Sequence, residues 1–127
     1  MRILPVAVAA LLVAGGMAKE AAASDMLVAN ICEYVKSDDR NLLRKKLKES
    51  RMKLRQVYDG IKCDGHSLVR FAMVSGANES GEFIVSRLPS SKLKKPEADG
   101  MTVGAWAESQ GHGASPIATA VKERIGG

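Results

Sequence analysis

Two cysteines are the residues in this sequence best suited to covalent chemistry. Cys32 and Cys63 are the whole cysteine complement of the 127-residue chain, and paired cysteines in a chain with a secretory signal are usually oxidised. We therefore predict a disulfide between them. It would close a loop of roughly 30 residues and stabilise a small domain by about 3 to 4 kcal/mol in the chain-entropy model. The alternative is a redox-active pair. Redox-active cysteines are usually spaced C-x-x-C at the start of a helix, and Cys32 and Cys63 are not.

Four cations share one side of a helix predicted over residues 39–58. At about 100° per residue they fall in a narrow row beside the apolar face, and we call them the basic stripe: Arg44, Lys48, Arg51 and Arg55. Such a stripe is either a solvated flank whose long side chains cover the core edge or a site for acidic lipid, glycolipid or polyanion. Nucleic acid is not expected, because the aromatic residues needed for base stacking are few.

Metal and acid–base chemistry have less support. Cys63, Asp64 and His66 are close in sequence, but a zinc site needs three or four converging ligands and Cys63 already has a partner. Glu79 and Glu82 share a predicted helix, yet no neighbouring group in the sequence makes them a general acid/base pair. Nucleophile-elbow, phosphate-loop and H-E-x-x-H motifs are absent from the sequence. We predict no catalytic residue, no metal and no cofactor.

The first 23 residues are typical of a secretory signal. Arg2 gives a positive start, residues 3–14 are apolar, and small residues follow up to Ala23. Cleavage is expected after Ala23, or alternatively after Ala18, which would place the protein in the periplasm or outside the cell. An uncleaved N-terminal anchor is the competing interpretation. No later segment approaches the roughly 20 apolar residues of a membrane span, so no transmembrane segment is expected in the mature chain.

The remaining elements are predicted to be helices, giving an all-α, four-helix domain over residues 24–89. The first helix covers residues 25–36, with Ser24 or Asp25 as its cap, and the basic helix over residues 39–58 is capped by Asp38 or Asp39 and ends before Gly60. Residues 65–88 are predicted as two short helices, the first stopped at Gly76. Their order of residue types also resembles one ankyrin-type helix pair.

The composition changes after residue 89 to serine, lysine, glycine, proline and alanine. With almost no apolar periodicity, residues 90–127 are predicted to be a mostly disordered, flexible tail. A short helix over residues 115–125 is the exception, with Ser115 as its cap. Trp106 is expected to pack partially and His112 to be solvated.

Four segments together resemble a family of small exported bacterial proteins known only as a domain of unknown function. The segments are I-C-E-Y-V at residues 31–35, L-R-K-K-L-K at 43–48, Y-D-G-I-K-C at 58–63 and S-L-V-R-F-A at 67–72. The resemblance covers about residues 25 to 90. It implies a periplasmic location in a diderm bacterium and a paired cysteine framework, and it brings no activity, cofactor or catalytic residue.

The chain carries a net charge of +5, much of it on the predicted basic helix, which favours an anionic partner. The function expected from these features is that of an exported, non-enzymatic accessory or interaction protein. Anion binding through the basic stripe and thiol–disulfide exchange are the two alternatives. The expected partner is another protein or an anionic surface.

Overall fold

Helices dominate the computed structural model, which describes residues 24–126. The predicted signal segment, residues 1–23, lies outside the described residues. The all-α class is confirmed, although the described residues form eight helices, several of them short, where four were expected. They are α1 Asp25–Lys36, α2 Arg40–Glu49, α3 Leu54–Val57, α4 Leu68–Ser75, α5 Asn78–Ser86, α6 Ser90–Lys94, α7 Val103–Ser109 and α8 Pro116–Gly126. Within these residues no helix is long and apolar enough to cross a membrane.

Side-chain caps mark several helix starts where the sequence predicts them. The Ser24 hydroxyl accepts a hydrogen bond from Leu27 N at 3.1 Å, and the Asp39 carboxylate accepts one from Leu42 N at 3.0 Å. Ser115 caps α8 in the same way, through Ala118 N at 3.0 Å. Each cap satisfies a backbone N–H that has no partner inside its own helix.

The prediction of one continuous helix over residues 39–58 is wrong, because α2 ends at Glu49 and α3 begins at Leu54. Met52 N donates to Leu47 O at 3.2 Å and Arg51 N donates to Lys48 O at 3.1 Å, which is the hydrogen-bond pattern of a Schellman cap. The cap holds Arg51 at φ 55°, a left-handed conformation that costs a non-glycine residue on the order of 1 kcal/mol. The apolar residues on both sides of the break are still buried: Leu43, Leu47, Leu54, Val57 and Ile61.

A short β-hairpin follows a 3₁₀ turn at Tyr58–Gly60 and carries the second cysteine. Its strands, β1 Lys62–Cys63 and β2 His66–Ser67, pair antiparallel with Cys63 opposite His66. Asp64 and Gly65 between them have φ values of 53° and 81°, as the tight turns of two-residue hairpins require. The hairpin places Cys63 against α1, and the predicted disulfide between Cys32 and Cys63 is present.

Helix α4 is the centre of the core. Its residues 68–73 are all buried, and six consecutive residues point in every direction around a helix. Other elements therefore have to cover α4 on all sides. It contacts α1, the hairpin, α5, α7 and α8.

The prediction of a disordered tail over residues 90–127 is wrong for residues 90–126, the part that the structure describes. Residues 90–126 form α6, α7 and α8, with α8 matching the short helix expected over residues 115–125. The domain therefore continues past the predicted boundary at residue 89. These helices contribute seven buried residues to the core: Leu93, Val103, Trp106, Ala107, Ile117, Ala118 and Val121. Helices α6 and α7 have five and seven residues, which is too few turns for an apolar period to be visible in the sequence.

Helices α5 and α8 approach closely at Gly81. A Cβ atom at this position would lie 2.4 Å from Ile117 Cδ1 and 3.2 Å from the Cβ of Ala72. Ile117 is fully buried, so its side chain has little room to move. The absence of a side chain at Gly81 thus permits this helix pair to pack.

We predict that Gly81→Ala destabilises the protein. Overpacking against Ile117 typically costs about 1 to 3 kcal/mol, and the better helix propensity of alanine returns under about 1 kcal/mol. The expected net loss in the free energy of unfolding is about 1 to 2 kcal/mol, measured by urea titration with circular dichroism. Gly104→Ala in α7 is the matched control, because nothing lies within 4 Å of its added Cβ, and it should be neutral or slightly stabilising. Equal stabilities for both variants would contradict the packing of α8 on α5.

We also predict that reductant destabilises the protein. The disulfide joins residues separated by 31 positions, and opening it frees a loop whose closure entropy corresponds to about 3 to 4 kcal/mol. Urea unfolding with and without tris(carboxyethyl)phosphine measures the difference. The double variant Cys32→Ser/Cys63→Ser should match the reduced wild type and should not respond to reductant. An unchanged unfolding midpoint on reduction would show that the bond is dispensable.

Candidate anion-binding site

A cavity of about 260 Å³ opens between α2, the turn to α3, and α5. Nine residues line it, of which five are cations and none is acidic. We call it the basic cavity and define it by its cations, which are Arg44, Lys48, Lys53, Arg55 and Arg87. The other four lining residues are apolar: Leu47, Met52, Leu54 and Phe83.

Three elements bring the cations together. Arg44 and Lys48 are four residues apart on α2 and so lie on the same face. The Schellman cap ends α2 and turns the chain, and Lys53 and Arg55 beyond the cap also line the cavity that α2 borders. Arg87, the C-cap residue directly after α5, completes the lining, with its guanidinium carbon 4.9 Å from the centre of the Phe83 ring.

The five cations of the basic cavity have no carboxylate partner among the described residues. The ion pairs found there use other cations, namely Arg70, Lys92 and Lys122. All five cavity cations are exposed. Their charges therefore add to a positive potential at one concave surface, where field lines are focused and anions are attracted.

The basic stripe is only partly reproduced by the structure. Arg44, Lys48 and Arg55 line the basic cavity, but Arg51 does not, because the helix break moves it off the face it would share with the others. Lys53 and Arg87 line the basic cavity although the sequence did not predict them as part of a site. A second hollow of about 440 Å³ borders the first through shared residues and is lined by Asn41, Arg44, Lys45 and Lys48.

The disulfide lies apart from the basic cavity. Cys32 and Cys63 line a different hollow, whose charged residues have both signs. Cys63 is buried and Cys32 is half-buried. Near them, Asp64 and His66 do not form a metal site, because in residues 24–126 no three potential ligands are grouped closely enough to hold an ion.

A second polar cluster surrounds the buried Arg70 of α4. Arg70 Nη1 and Nη2 donate to the two carboxylate oxygens of Asp99 at 2.8 and 3.0 Å, and Nε lies 3.1 Å from Glu97 Oε1. The guanidinium carbon lies 5.0 Å from the centre of the Trp106 ring. A buried cation needs such partners to offset its desolvation. The cluster thus fastens the segment between α6 and α7 to α4.

The shifted pKa values belong to this cluster and its surroundings. Hydrogen bonds from Arg70 lower the pKa of Asp99 to about 2 and, in return, raise the pKa of Arg70. Burial raises the pKa of the nearby Tyr58 to about 12. None of these groups lines the basic cavity. They therefore form a structural network and do not mark a reaction centre in the cavity.

Two histidines flank Trp106. The ring of His66 lies 5.8 Å from the Trp106 ring, and that of His112 stacks on it at 5.7 Å. His112, which was expected to be solvated, is half-buried through this stacking on Trp106. Trp106 itself is buried.

These observations define a small, disulfide-linked, all-helical domain with a cation-lined cavity. The family model described as Protein of unknown function (DUF3718) matches residues 31–95, about half of the chain, and the chain belongs to this family. Comparisons with curated proteins and with solved structures found no match. The predicted family resemblance is confirmed, whereas nothing found supports an ankyrin-type repeat at residues 65–88. All residues that line the basic cavity lie inside the matched segment.

We predict that Asp99→Asn lowers the melting temperature at pH 7 by several degrees, because the buried Arg70 loses its bidentate partner. The pKa of Asp99 is lowered from 3.8 to about 2 in the folded protein. Its stabilisation is therefore present above about pH 4 and is lost as the pH falls towards 2. The difference in melting temperature between wild type and variant should shrink over that interval, as measured by circular dichroism.

Asp64→Asn is the matched control for this experiment. Asp64 is exposed, takes part in no ion pair among the described residues and has φ 53°, a conformation that asparagine accepts. This variant should melt like the wild type at every pH. A wild-type melting temperature for Asp99→Asn at pH 7 would contradict the proposed role of the ion pair.

Proposed function

We propose that this protein is an exported, non-enzymatic accessory protein that binds anionic ligands through the basic cavity. One observation carries the proposal. Five exposed cations border one concave surface that no acidic residue lines, and they have no ion-pair partner among the described residues.

The side-chain types suit anion recognition. Three of the five cations are arginines, whose planar guanidinium groups can donate two parallel hydrogen bonds to a carboxylate or phosphate. Lys48 and Lys53 add compact charges that tolerate several anion geometries. Because the cations are exposed, binding should weaken as salt concentration rises.

Export is supported by two features. The disulfide between Cys32 and Cys63 is of a kind that persists in oxidising compartments such as the periplasm or the cell exterior. The residue order of positions 1–23 follows that of a secretory signal.

The positions of the groups with shifted pKa values favour a binding role over catalysis. The groups with clearly shifted pKa values among the described residues are Tyr58, Asp59, Arg70 and Asp99. In each case an ion-pair partner or burial of the side chain explains the shifted pKa, and each group lies outside the basic cavity. Catalytic groups with perturbed pKa values are usually found within the cleft where they act.

Calorimetric titration with pyrophosphate at low ionic strength tests the proposal. We predict that Lys48→Gln/Arg55→Gln weakens binding by at least about tenfold, because two cavity charges are removed. The control Arg40→Gln/Lys94→Gln removes the same charge from exposed positions that do not line the cavity and should change the dissociation constant by less than about twofold. The absence of binding, or an equal loss in both double variants, would disprove the proposal.

Two single variants separate the basic cavity from the basic stripe. Arg87→Gln should weaken pyrophosphate binding although Arg87 is not in the stripe. Arg51→Gly should preserve it, since Arg51 does not line the cavity and glycine accepts its left-handed backbone. The opposite result would assign binding to the stripe.

A further inference from the structure

We infer that the ligand of the basic cavity is a lipid phosphate, meaning a phosphate monoester that carries a hydrocarbon chain. This inference rests on the proposed anion-binding function and deepens it. It follows from the apolar residues that line the cavity together with the cations. A site for a small inorganic anion would need only the polar half of this lining.

The apolar residues of the lining belong to the core or pack against it. Leu47 and Leu54 are buried, and Met52 and Phe83 are half-buried against the core. Contact with such a surface would penalise a hydrated inorganic ion but stabilise a hydrocarbon chain through loss of apolar surface from water. Methionine is well suited to this contact because its side chain is unbranched and adaptable.

The two halves of the lining lie at different depths. All five cations are exposed, whereas the leucines beneath them are buried. Along the chain each of the pairs Leu47–Lys48, Met52–Lys53 and Leu54–Arg55 combines one apolar and one cationic lining residue. A ligand that complements this arrangement carries its charge at the rim and its apolar part inward.

The number of charges favours phosphate over carboxylate as the head group. A fatty-acid carboxylate carries one negative charge, but a phosphate monoester carries about −1.5 to −2 at pH 7. Five cations border the cavity, and the adjoining hollow adds Lys45 while sharing Arg44 and Lys48. A doubly charged head group therefore matches the site better than a singly charged one, and the second hollow has room for a further anionic group.

A series of soluble alkyl phosphates tests the inference on the wild-type protein. Ethyl, butyl and octyl phosphate are titrated below their micelle concentrations at constant pH and salt, with inorganic phosphate and neutral octyl glucoside alongside. We expect the affinity to rise by at least about tenfold from ethyl to octyl phosphate, because part of the chain becomes buried. Inorganic phosphate and octyl glucoside should both bind more weakly than octyl phosphate by a similar factor.

Met52→Gln separates chain recognition from head-group recognition. It should reduce the gain in affinity from ethyl to octyl phosphate to less than about threefold, because the lost apolar contact acts mainly on the longer chains. Met26→Gln is the matched control, because Met26 is 74% exposed and does not line the cavity. Arg87→Gln should weaken all the phosphates by a similar factor and leave the chain-length dependence intact.

The outcomes distinguish this inference from the proposed function. Equal affinity along the alkyl series, or inorganic phosphate binding as tightly as octyl phosphate, would overturn the lipid phosphate and leave anion binding standing. Octyl glucoside binding as tightly as octyl phosphate would also overturn it, since charge would then play no part. If neither pyrophosphate nor any alkyl phosphate binds at low ionic strength, both the inference and the proposed function fail.

Discussion

The burial of helix α4 is the constraint on which the rest of the structure depends. A helix whose residues 68–73 are all buried is stable only when neighbours cover every face. One of those residues, Arg70, is charged, and its desolvation is offset by Asp99 and Glu97. The core therefore requires both a hydrophobic enclosure and a pair of carboxylates, and the sequence after residue 89 supplies a large part of both.

The C-terminal helices are thus part of the domain and not an appendage. Ile117 of α8 fills the space that Gly81 leaves open on α5, and Trp106 of α7 packs against Arg70. Ile117 and Trp106 lie beyond residue 95, where the match to the family model ends. The residues that line the basic cavity all lie inside the matched segment.

The basic cavity is a consequence of the break between α2 and α3. In a continuous helix the cations of the basic stripe would lie on one convex face. The Schellman cap at residues 47–52 instead turns the chain, so that cations on both sides of the break face a common hollow next to α5. The left-handed backbone of Arg51 is the local cost of this turn, offset by the burial of Leu47 and Leu54.

Features that depend on nearby residues were determined by the sequence alone. The helix starts at Ser24, Asp39 and Ser115 follow from local capping chemistry. The disulfide joins residues 31 positions apart, but with only two cysteines in the chain its pairing was also fixed by the sequence. Tertiary structure decided the break in the basic helix, the order of residues 90–126 and the recruitment of Arg87 to the cavity. The physical reason is that short helices with few apolar residues gain their stability from burial against other elements. The residue pattern within one segment does not show which other element will cover it.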